Sequence, residues 1–172
     1  MPRTMTFLAT LLTVAALLAP THPAGAQACR LVSGNDLEKY YQPMPGWVRG
    51  KPTSETDPSE SVSRTTVDFD RKTETIGVEL MDSCRRAEVL QLAREILKTL
   101  PPATRGTVQR HTTVNGIRAY EEFTAESGHG EIHVLVNDRF MVKVTADGPA
   151  MDLPTLQNAA QQVPMAALAA LK

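Results

Sequence analysis

The stretch Thr107–Asp147, TVQRHTTVNGIRAYEEFTAESGHGEIHVLVNDRFMVKVTAD, decides the fold. It contains four runs of alternating side chains divided by short polar turns, the pattern of antiparallel strands with one buried face. Asn115-Gly116 is the clearest punctuation, because both residues tolerate the positive φ that a two-residue hairpin turn demands. That turn predicts a register in which Val114 faces Ile117, Thr112 faces Ala119, Arg110 faces Glu121 and Val108 faces Phe123. The opposite face then sets His111 against Tyr120 and Gln109 against Glu122. A slip of one residue would exchange the two faces, so the consistency of these pairs supports the register.

The third run, Glu131 to Val136, places Ile132, Val134 and Val136 on one side, and Phe140, Val142 and Val144 alternate in the fourth. A three-residue connection, Asn137-Asp138-Arg139, pairs Val136 with Phe140. A two-residue turn would instead oppose Val136 to Arg139. Ser127 to Gly130 supplies the middle turn.

Upstream, Val62–Phe69 and Thr73–Met81 read as another hairpin around Asp70-Arg71-Lys72. Cys84 to Leu100 follows as an amphipathic helix capped by Asp82 or Ser83, with Val89, Leu92, Ala93, Ile96, Leu97 and Leu100 as its apolar stripe. Pro101-Pro102 stops it. Lys51 to Glu60 has loop composition, rich in Pro, Ser, Thr and charge. A short helix is expected within Leu31–Tyr41, started by Ser33, Asn35 or Asp36, and Trp47 is expected to anchor beneath the sheet. Downstream, Gly148-Pro149 ends the sheet. Asp152 caps a closing helix lined by Leu153, Leu156, Ala160 and Val163, and Pro164 breaks it. The expected class is α+β: one antiparallel sheet in the order β-β-α-β-β-β-β-α, with helices mainly on one face.

The beginning of the chain reads as an export signal. A positive charge at Arg3 precedes the apolar run Phe7–Ala19, which spans roughly 20 Å and falls short of a bilayer core. Small residues follow up to Ala28, as at a cleavage site. The expected organisation is therefore a signal peptide over 1–28, a short helix with a Pro/Ser-rich loop over 29–60, and an α+β domain over 61–172. The expected location is periplasmic or secreted, with no transmembrane helix after cleavage. In such a compartment Cys29 and Cys84 are read as a disulfide. The alternative is a lipid anchor on Cys29, although Ala26 and Gln27 fit a lipobox poorly. A net charge of −1 gives no excess of basic groups for nucleic acid.

The Cys29-Arg-Leu-Val opening, the Pro45-Gly-Trp loop, the Glu131–Thr145 hairpin and the alanine-rich closing helix resemble small bacterial exported proteins of uncharacterised function. The element order is also similar to the PsbP-like α+β group. That resemblance implies an accessory subunit or binding module and carries over no catalytic residue.

No catalytic signature is present: Gly-x-Ser-x-Gly, Cys-x-x-Cys and His-Glu-x-x-His are all missing. The chain is read as a non-enzyme, and an enzyme of unknown class has only scattered titratable residues behind it. The first functional reading is a binding or accessory protein. Its partner, an envelope protein or a small ligand, would use an open sheet face around His111, Tyr120, Glu122, His133, Leu135 and Met141. The second reading is weak binding of a divalent transition metal by His129, Glu131 and His133, which a spacing of two puts on one strand face. No other cofactor is implied.

Overall fold

The computed structural model describes residues 29–102 and 104–171; the signal segment expected over 1–28 lies outside them. One antiparallel sheet of eight strands carries the fold. In chain order the strands are β1 (Val48–Arg49), β2 (Thr53–Asp57), β3 (Val62–Arg71), β4 (Glu74–Asp82), β5 (Thr107–Val114), β6 (Ile117–Thr124), β7 (His129–Val136) and β8 (Phe140–Asp147). Their order across the sheet is β1-β3-β4-β8-β7-β6-β5, and β2 shares the outer edge of β3 with β1. The helices are α1 (Gly34–Leu37, continued by a 3-10 turn over Glu38–Tyr40), α2 (Ala87–Lys98), α3 (Leu153–Gln162) and α4 (Met165–Ala169).

The four-strand meander has the expected registers. Val114 opposes Ile117 and Val108 opposes Phe123, while Val136 opposes Phe140 across the three-residue turn. Asn115, Asn137 and Asp138 all adopt positive φ, the conformation that tight turns require of them. A long-range seam joins this meander to the first hairpin: β4 pairs β8, setting Val78 against Val144 and Leu80 against Val142. Since β4 is central and β5 lies at the far edge, the connection between them must cross the sheet.

The two faces are closed differently. On the core face, Val67, Phe69, Ile76, Val78, Leu80, Ile132, Val134, Val142 and Val144 are buried with Leu37, Leu156, Met165 and Leu168. Fully burying each such side chain contributes roughly 1.5–3 kcal/mol. Gly130 leaves no room for a side chain: a Cβ there would stand 2.5 Å from the Phe123 ring on the neighbouring β6 and 3.0 Å from Leu156 Cδ2 of α3. Helix α2 lies against β6 and β7 on the other face. There the His111 ring meets the Ile96 carbonyl at 3.0 Å, and Leu90, Ala93, Met81 and Tyr120 are buried outside the main core. The second face is therefore not fully open, because α2 covers part of it.

Several expected boundaries move. Residues 51–60 are not all loop, since β2 pairs β3 from Thr53 opposite Thr66 to Asp57 opposite Val62. The outer backbone groups of a ten-residue β3 need partners, and the Thr/Ser content of β2 suits a strand. The first hairpin extends to Arg71 opposite Glu74, moving its turn to Lys72-Thr73. Helix α2 begins at Ala87 rather than Cys84, because Cys84 and Arg85 have φ of 46° and 64°. Leu92 of the expected stripe is 74 % exposed, whereas Leu90 is fully buried. The other caps follow expectation: Ser33 accepts from Asp36 N–H and Asp152 from Thr155 N–H.

Candidate functional site

Alternation along β5–β8 brings Gln109, Tyr120, Glu122, Glu131, His133 and Lys143 to the second face, side by side across four strands. Lys143 Nζ lies 2.7 Å from Glu131 Oε2, and His133 Nε2 lies 2.8 Å from Glu131 Oε1. Gln109 Nε2 donates to Glu122 Oε2 at 2.8 Å, and the Tyr120 hydroxyl donates to the same oxygen. The Tyr120 and His133 rings are tilted neighbours, 6.0 Å between centroids.

These contacts set the protonation states. His133 and then Lys143, against the opposing effect of burial, hold the Glu131 carboxyl down to about 2. Burial, followed by the Glu122 contact, pushes the Tyr120 hydroxyl up, so it remains a donor. Glu122 and Glu131 are direct cross-strand partners. Two carboxylates in that position repel, and the donors around them offset the repulsion. His133 Nε2 and Gln109 Oε1 are buried without a directed hydrogen bond. The His133 contact with Glu131 is thus close without being a linear hydrogen bond.

The residues expected to form one surface divide into two groups. Leu135 and Met141 are cross-strand partners, Met141 is also opposite the buried Met81, and both are only partly exposed. His111 is fixed by α2: Nε2 donates to the Ile96 carbonyl, leaving Nδ1 to accept from Arg118 Nη2 at 3.1 Å. Tyr120 is 2 % exposed. Glu122, Glu131 and His133 are half-buried beyond the helix, and His129 is exposed at the start of β7. Asp68, Asp70 and Asp147 are exposed on this face as well, and with Glu79, Glu122 and Glu131 they outnumber its Arg64 and Lys143, so the uncovered part is acidic on balance.

Glu131 and His133 are brought together, but His129 does not converge with them. Among the described residues, the only three His, Cys, Asp or Glu side chains whose ligand atoms lie within 4.8 Å of one another are Cys29, Asp82 and Cys84. Both of these sulfurs are committed to a disulfide with S–S 1.98 Å. That bond also uses the Cys29 thiol that a lipid anchor would need. Among the described residues, no helix is long and apolar enough to cross a membrane.

Next to the disulfide is a buried cluster that sequence reasoning missed. Arg139 donates through Nε to Asp82 Oδ1 at 2.9 Å and through Nη2 to Asp82 Oδ2 at 2.7 Å, and both residues are at most 3 % exposed. Asp82 also accepts from Val32 N–H and Cys84 N–H, and Arg139 donates to the Arg30 carbonyl. This bidentate pair ties the start of the domain to the ends of β4 and β7. Glu121 is likewise fully buried, on the core face, between Arg110 Nε at 2.7 Å and Gln157 Nε2 at 2.6 Å. The Arg110–Glu121 register was the one signal for it; Arg139 read only as a turn residue.

Comparisons with protein-family models, with curated proteins and with solved structures find no match.

Proposed function

We propose that this chain is an exported accessory or binding protein of the cell envelope, periplasmic or secreted, cut from a signal segment ending near residue 28. Its docking surface is the uncovered acidic part of the second sheet face, centred on Glu122 and Glu131. The partner presents basic side chains there.

One observation carries the reading: two carboxylates stand directly opposed on adjacent strands within a network that keeps Glu131 ionised. Opposed like charges repel and here depend on neighbouring donors, so a basic partner has a charge pair to engage. The covered part of the face, with Leu90, Ala93 and Met81 buried, gives the acidic strip a rigid support. The disulfide suits an oxidising compartment.

The test is capture from envelope extract by the immobilised domain, compared with a Glu122→Lys/Glu131→Lys variant at low and high salt. A captured species lost in the variant, and released by salt, is the expected result. Equal capture by both proteins would remove this face from consideration.

A further inference from the structure

We propose a second binding site on the opposite side of the sheet, a cleft that takes a small carboxylate with an apolar body. The cleft has a volume of about 210 Å³ and lies between the Pro45-Gly46-Trp47 loop and α3. Its floor is apolar: Ile76, Met44 and Ala159 line it and are at most 6 % exposed. Trp47 forms one wall and is only partly buried against the core. Asn158 and Gln162, exposed carboxamides four residues apart on α3, rim the other side.

Arg71 supplies the charge. Its guanidinium stacks over the Trp47 ring, 4.3 Å from the centroid. Its only carboxylate within ion-pair range among the described residues is Glu74, and the contact runs through Nε at 3.6 Å. That contact is too long for a hydrogen bond, and a guanidinium fork matches a planar carboxylate in bidentate fashion. The lining is mixed, with buried apolar side chains at the floor and polar ones at the rim. The volume suits a body no larger than one aromatic ring or a short branched chain. Glu74 and the exposed Asp152 lie on the same side as Arg71, so the affinity is modest and the cleft discriminates by the fit of the charge to Arg71.

Trp47 is the only tryptophan of the chain, so its emission reports occupancy directly. The exported protein would be titrated with phenylacetate, with its neutral amide and with phenethylamine. The expected result is a saturable change with phenylacetate, at least about tenfold weaker binding of the amide, and none of the amine; tenfold corresponds to about 1.4 kcal/mol. Arg71→Gln should weaken phenylacetate about tenfold and leave the amide unchanged. Because Arg71 also faces the buried Glu74, a second variant avoids any folding defect: Asn158→Glu, at an exposed rim position, should weaken phenylacetate and Asn158→Lys should tighten it. No saturable change with phenylacetate, equal binding of acid and amide, or indifference to the charge at 158 would overturn the proposal.

Discussion

The two faces of the sheet are built from the same alternating strands yet do opposite work. The core face is a continuous apolar layer under α3, with Glu121 and Asp82 as fully buried strand carboxylates. The second face bears Glu79, Glu122, Glu131, Lys143 and His133, and α2 covers only part of it. Close packing holds the first face, so it tolerates no added volume. Paired charges hold the second, so it responds to pH and to charge reversal. The proposed docking surface lies on the face whose side chains can exchange an internal partner for an external one.

The largest expected effect lies at the clamp that fixes one end of the sheet. Arg139→Ala leaves Asp82 buried without its counter-ion, and should lower stability by about 3–5 kcal/mol in a denaturant titration. Asp82→Leu with Arg139→Leu should be far less damaging than either single change, because no lone charge remains.

On the core face, Gly130→Ala forces a methyl group to within 2.5 Å of the Phe123 ring. A loss of about 1–3 kcal/mol is expected by thermal or chemical unfolding. No loss would mean that the Phe123 ring of β6 and Leu156 of α3 leave more room above Gly130 than described.

On the second face the expected effect is smaller and depends on pH. Glu131 lies at about 2 when folded against an ordinary value of 4.5. Its contribution is therefore complete above about pH 4.5 and is lost as pH falls toward 2. With a carboxylate that is only half-buried, the expected size is on the order of 1 kcal/mol. Comparing wild type with Glu131→Gln between pH 7 and 3 should show the two stability curves converge in acid; parallel curves would contradict the charge network.

The smallest expected effect is that of a metal. Glu131 is already held by Lys143 and His133, and His129 does not converge with them. Zinc or copper added to the purified domain should leave its melting temperature unchanged. A stoichiometric, saturable rise abolished by His133→Ala would restore the metal reading.

Local patterns made the hairpins legible. Asn115-Gly116 and the alternation around it specified the β5–β6 register pair by pair, and the mismatch of Val136 with Arg139 selected the three-residue turn at β7–β8. What lacked a local signal is long-range. The β4–β8 seam joins residues about 65 positions apart, as in Val78 opposite Val144, and no turn announces it. The path of α2 follows from that seam, so its covering of the second face was equally hidden. The left-handed backbone at Cys84 and Arg85 displaced the helix start, because the chain must first place Cys84 beside Cys29 and Asp82 against Arg139. Of the candidate site, the strand faces placed Glu122, Glu131 and His133 together and Lys143 beside His133. The pairing of Glu122 with Glu131 rather than His133 depends on the β6–β7 register, and the fixing of His111 by the Ile96 carbonyl required the tertiary path.

The central claim, that the uncovered part of the second face is the docking surface, is tested most directly by amide hydrogen exchange of the isotope-labelled domain with and without envelope extract. Slower exchange confined to β6 and β7 around Glu122 and Glu131, and absent in the Glu122→Lys/Glu131→Lys variant, is the predicted result. Unchanged exchange on those strands, or protection confined to the Trp47 loop and α3, would contradict it.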